Sequence, residues 1–126
     1  MEPVYLICYG DSEENIQISL EKKIIGASNY KKIPAGQLIY LIVKRAGEWI
    51  VVGKGHIAEP SSVNPFAQPN RFATYISSDL RACKPFSISE LCKRELGNRY
   101  GLVMRTPQPI SASAFIKYLD EQFEEV

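Results

Sequence analysis

Asn29 and Tyr30 stand side by side in a polar loop, and the pair suits one kind of chemistry. An asparagine amide carries both a donor and an acceptor, and a tyrosine carries an aromatic face. Together they can read a nucleobase edge and stack on its face, stacking being worth about 1–3 kcal/mol per base. The plain alternative is a loop asparagine that satisfies its own backbone beside a tyrosine that lids the core. Trp49, the only tryptophan, either anchors the core or walls a pocket. Basic residues come in pairs at Lys22-Lys23, Lys31-Lys32, Lys44-Arg45 and Lys93-Arg94, with Arg71 standing apart. If Lys31, Lys32, Lys44, Arg45 and Arg71 share one rim they would meet phosphates. Spread over the surface, they are solubilising charge.

Catalytic chemistry finds little support. The chain has no GxSxG, P-loop, HExxH or dinucleotide fingerprint. His56 is the single histidine, with no Cys, Asp or His near it in sequence, and reads as structural. Cys8, Cys83 and Cys92 lack the spacing of a zinc site and suit a reducing cytoplasm. The expectation is a cytoplasmic binding domain with no metal, no cofactor and no reaction of its own. A net charge of +1 excludes a polycation that coats nucleic acid by charge alone. The apolar run near the N-terminus is too short for a signal sequence or a membrane span.

Positioning these residues falls to one domain, since 126 residues suit a single core. Val4–Tyr9 reads as a buried strand stopped by Gly10-Asp11. Asp11 or Ser12 then caps a helix over Glu13–Lys22, with Glu13 and Glu14 in its first turn. Ile24-Ile25-Gly26 is a short apolar step. Leu38–Val43 is wholly apolar and so covered on both faces. The KRAGE segment turns it into a partner strand from Trp49, with Gly53 and Gly55 marking a bulge or a close approach. Glu59–Asn70 is a proline-rich surface loop, and Arg71–Ser77 alternates as a strand. The remaining predicted elements are a helix Ser87–Leu96 capped by Ser87 and stopped by Gly97, a strand Tyr100–Arg105, and a helix from Ser111 or Ser113. Five strands should form one curved, mostly closed sheet.

The stretches VYLICYGDSEENIQISLEKKIIGAS and GQLIYLIVKRAGEWIVVGKGHI carry a resemblance. Strand, acidic helix start, short helix, Asn-bearing loop, apolar strand, polar hairpin and aromatic follow in the order found in YTH and EVE domains of the PUA-like superfold. The likeness spans Val4 to Glu59. It implies an α+β fold, a small, partly closed, curved β-barrel with flanking helices as one PUA-like domain. It also implies a pocket beside the first helix that accepts one flipped, modified (methylated) base from DNA or RNA. An effector nuclease or NTPase in a modification-dependent restriction system would be a partner. The broader class implies an RNA-binding accessory as the alternative, or a small-molecule or protein binder whose nucleobase pocket has decayed.

By this resemblance Gly26, Ala27 and Ser28 form the edge that hydrogen-bonds the base, and Asn29 and Tyr30 follow in the pocket loop. The family's pocket tryptophan falls at Ile25, its Gly-Asp at Gly36-Gln37, and the late aromatic of EVE domains at Ile42. The aromatic wall then passes to Tyr9, Tyr30, Trp49 or Tyr100, or the pocket has been lost.

Overall fold

The structure, a computed structural model, describes residues 2–28 and 32–126. The first apolar run forms β1 (Val4–Cys8). Ser12 then caps α1 (Glu13–Lys22), its Oγ accepting the Asn15 N–H at 3.2 Å, with Glu13 and Glu14 in the first turn as the helix dipole favours. Lys23 ends the helix in the left-handed region at φ 57°. The apolar step that follows is a full strand, β2 (Ile24–Ser28). The hairpin of β3 (Leu38–Arg45) and β4 (Glu48–His56) turns at Ala46-Gly47, both with positive φ, which matches the twist of the flanking strands. Next come β5 (Glu59–Pro60), a 3-10 turn over Pro69–Arg71, β6 (Phe72–Ile76) and β7 (Arg81–Ser87). Three helices close the described fold: α2 (Ser89–Leu96), α3 (Tyr100–Arg105) and α4 (Ser113–Gln122).

The expected single closed sheet is not what forms. Among the described residues the ladders fall into two sheets, β1-β3-β4-β7 and β2-β6-β5, and no ladder joins them. The chain is α+β, with β1 parallel to β3 and the other pairs antiparallel. Side-chain alternation explains the layering. Tyr5, Ile7, Ile39, Leu41 and Val43 face β2, β6 and α1 in one core. Their neighbours Val4, Leu6, Tyr40 and Ile42 face α2, α3 and α4 in another. The unbroken apolar run of β3 is therefore covered on both sides, as its sequence requires. No described helix is long and apolar enough to cross a membrane.

Three local expectations also change. Tyr100–Arg105 is helical, because the glycine turn at Gly97 (φ 51°) leads into a 3-10 segment and then α3, which buries Val103 and Met104. Arg81–Ser87, unread in the sequence, is the edge strand β7; its charges and Pro85 hide the apolar alternation. Helix α2 starts at Ser89 after Ile88, and Ser87 does not cap it in the expected way. The glycine signals in β4 hold: Val51 pairs with Ile42 and Gly53 with Leu41, so Val52 bulges between them. At Gly55 a Cβ would lie 2.6 Å from Ser77 Oγ, so backbone and side chain meet there.

Candidate functional site

A cavity of about 590 Å³ opens where the two sheets and the helical layer meet. Tyr9 to Ser12, between β1 and α1, form one side, and Asn15 projects from α1. Ser28 and Phe72, paired across β2 and β6, form a second side. Trp49 from β4 and Met104 from α3 close a third, and Arg71 stands at the end of the 3-10 turn.

Tyr9 is held from three directions. Its ring lies 5.3 Å from Phe66 and 5.6 Å from Phe72, the latter edge to face. Its hydroxyl is 2.6 Å from Ser19 Oγ and accepts the Gly26 N–H at 2.9 Å. Burial pushes the phenol well above its ordinary pKa, and the Ser19 and Gly26 hydrogen bonds offset only part of that. Gly26 is a glycine for packing reasons. A Cβ there would stand 3.0 Å from Phe72 and 3.1 Å from Phe66, so the aromatic cluster needs the empty space.

Trp49 is fixed through its backbone. Its N–H donates to Ser89 Oγ at 2.8 Å, and its carbonyl accepts the Ile88 N–H at 2.8 Å. Lys44 sits opposite it across the hairpin, with Nζ 5.4 Å from the ring centroid. Burial raises the Tyr100 hydroxyl pKa, and the neighbouring Trp49 side chain lowers it in part. Cys8 also lines the cavity. Burial raises its thiol pKa against the opposing effects of the Gly10 N–H and Lys44, so it stands there as a neutral thiol.

The structure thus brings Tyr9, Ser28, Trp49 and Arg71 to one cavity. Gly26 and Ala27 lie behind it: the Gly26 N–H is engaged by Tyr9, and Ala27 is fully buried opposite Ala73. Tyr100, on a helix rather than a strand, stands beside Trp49 and does not line the cavity. Arg45 is bound in a fork by Glu13, at 2.7 and 2.8 Å. Arg71 Nη1 donates to Gln68 Oε1 at 3.0 Å, and Gln68 itself turns the chain at φ 56°. Lys32 is exposed and away from the lining. Asn29, Tyr30 and Lys31 lie outside the described residues.

Asn15 is the residue that the sequence reading passed over. It is buried, lines the cavity, and accepts the Ala67 N–H on Oδ1 at 3.0 Å. That bond fixes the amide, and among the described residues its NH₂ group makes no hydrogen bond. A signal was present: Asn15 and Ser19 are four apart beside Ile16, a polar pair on the inward face of an otherwise apolar stripe.

No family model and no curated protein matches the chain. Among solved structures, it is similar to the Pho92 YTH domain in its complex with m6A, with a TM-score of 0.56 and 13% sequence identity. The match covers 98% of this chain and 88% of that one. At that identity the likeness is one of fold, and it covers nearly the whole of this chain.

Proposed function

We propose that this chain is a reader domain that draws one methylated base out of a nucleic-acid strand, RNA before DNA, into the cavity beside α1. The observation that carries this is the convergence of flat aromatic walls and fixed amide chemistry in one concave site. Trp49 and Tyr9 supply the walls, and Asn15 supplies a donor already oriented by its other half. A volume of about 590 Å³ lies in the ordinary range for small-ligand sites. Extruding a base costs a few kcal/mol, which stacking and an edge hydrogen bond can offset. The shared fold with a YTH domain whose complex holds m6A supports the same reading. Recognition is the whole task assigned to this chain; cleavage or remodelling belongs to a nuclease or NTPase partner, as in a modification-dependent restriction system.

The test is a titration of RNA and DNA oligonucleotides carrying one central methylated base, against unmodified controls. The methylated RNA should bind more tightly. Trp49→Ala should lose about 1–3 kcal/mol of binding. Equal affinity for methylated and unmodified strands, in both RNA and DNA, would refute the reading.

A further inference from the structure

We propose that the cavity takes methylated bases that remain neutral and rejects those that carry a fixed positive charge, with Lys44 setting part of that preference. The inference rests on the reader function above. Capture of a cationic ring needs an aromatic face with no other cation on it, helped by nearby carboxylates. Here the Trp49 π system already holds the Lys44 ammonium at 5.4 Å. Two cations, Arg71 and Arg105, line the cavity, and Asp11 is the single carboxylate among the lining residues described. The nearby Glu13 carboxylate is occupied on both oxygens by Arg45. Two guanidiniums thus line the cavity with one carboxylate, and the Lys44 ammonium stands against the ring of Trp49 that lines it. For an assumed separation of about 7 Å, in surroundings between protein surface and water, like charges would repel enough to weaken binding roughly 3- to 50-fold. The same excess of positive charge favours the phosphates of the strand. Selection against cationic bases therefore follows from the charge that holds the backbone.

Three RNA oligonucleotides of one sequence test this: a central N6-methyladenine, which is neutral, a central N1-methyladenine, which is cationic, and unmodified adenine. Each is titrated against the wild type, Lys44→Met and Lys44→Glu. Lys44 is exposed, so both variants should keep the fold, and melting curves check that they do. The wild type should prefer the neutral base by about tenfold or more, and Lys44→Glu should narrow that ratio about fivefold, with Lys44→Met between. The ratio within one protein cancels any phosphate contact of Lys44, which both strands share, and comparing ratios between proteins cancels the methyl-blocked ring edge, which is the same for each protein. An unchanged ratio in both variants, or a wild type that prefers the cationic base, would overturn the inference while leaving the reader function standing. If neither methylated strand outcompetes the unmodified one, the reader function fails and this inference falls with it.

Discussion

The hydroxyl of Tyr9 has no proton to offer a ligand. Ser19 Oγ donates its own proton to the Ile24 carbonyl at 2.7 Å. Tyr9 must then donate into Ser19 Oγ, and it accepts from the Gly26 N–H. Each hydroxyl proton is spent on a defined acceptor, so Tyr9 can meet a base only with its ring. Its polar end ties β2 to α1. Tyr9→Phe keeps the ring and removes the link, leaving the buried Gly26 N–H without that acceptor. We expect it to lower stability by about 1–3 kcal/mol and to leave affinity per folded molecule nearly unchanged. Denaturant unfolding and titration of the same preparation separate the two. A large affinity loss with unchanged stability would mean that the hydroxyl faces the ligand after all.

Between elements, the end of β4 is fastened to the turn before β7 by one carboxylate. Asp79 Oδ1 accepts the His56 N–H at 2.8 Å, and Oδ2 lies 2.5 Å from His56 Nδ1. Burial alone would raise the Asp79 pKa, but hydrogen bonds from the His56 ring and backbone, with the charges of His56 and Arg81, outweigh it and hold it below its ordinary value. A depressed carboxyl contributes stability that is fully present above its unfolded pKa of about 3.9 and is lost as pH falls through the folded value. Asp79→Asn should therefore be less stable than the wild type by on the order of 1 kcal/mol or less, because both groups are about half exposed. That gap should close as pH is lowered from about 5.5 to about 2, read by urea melts at each pH. A gap that widens on acidification would reverse the assigned sign. The same elements show what the sequence could carry. Leu38–Val43 was legible because an apolar run of that length must be covered on both faces, although the strand runs on through Lys44 and Arg45, and the helix cap was legible to within Asp11 or Ser12 because a cap needs only its neighbours. Tyr100–Arg105 was not, since six residues of mixed apolar character suit a strand or a helix equally until packing against β1 decides. Of the cavity, Tyr9, Ser28, Trp49 and Arg71 were named from the sequence, while Asn15 was missed because its role depends on a backbone N–H fifty-two positions away.

Across the whole molecule, the cavity is the place where three layers share a boundary. Cys8 and Trp49 belong to the four-stranded sheet, Ser28 and Phe72 to the three-stranded one, and Met104 to the helical layer. The two hydrophobic cores lie on opposite faces of the larger sheet. A ligand seated there touches all three layers and should stabilise the fold as a unit rather than one side of it. For a ligand that binds only the folded chain, a concentration one hundredfold above Kd adds about 2.7 kcal/mol. For 126 residues that corresponds to a rise in Tm on the order of 10 °C. An unmodified strand bound tenfold more weakly should give about half that rise at the same concentration. The measurement is a calorimetric melt of the protein alone, with methylated RNA, and with its unmodified twin. One cooperative transition that moves upward, farther for the methylated strand, is the expected result. A melt that splits into two steps, of which only one responds to ligand, would show that the layers are not joined through the cavity. Equal shifts with both strands would mean that the strand is held by its phosphates and that the cavity reads nothing.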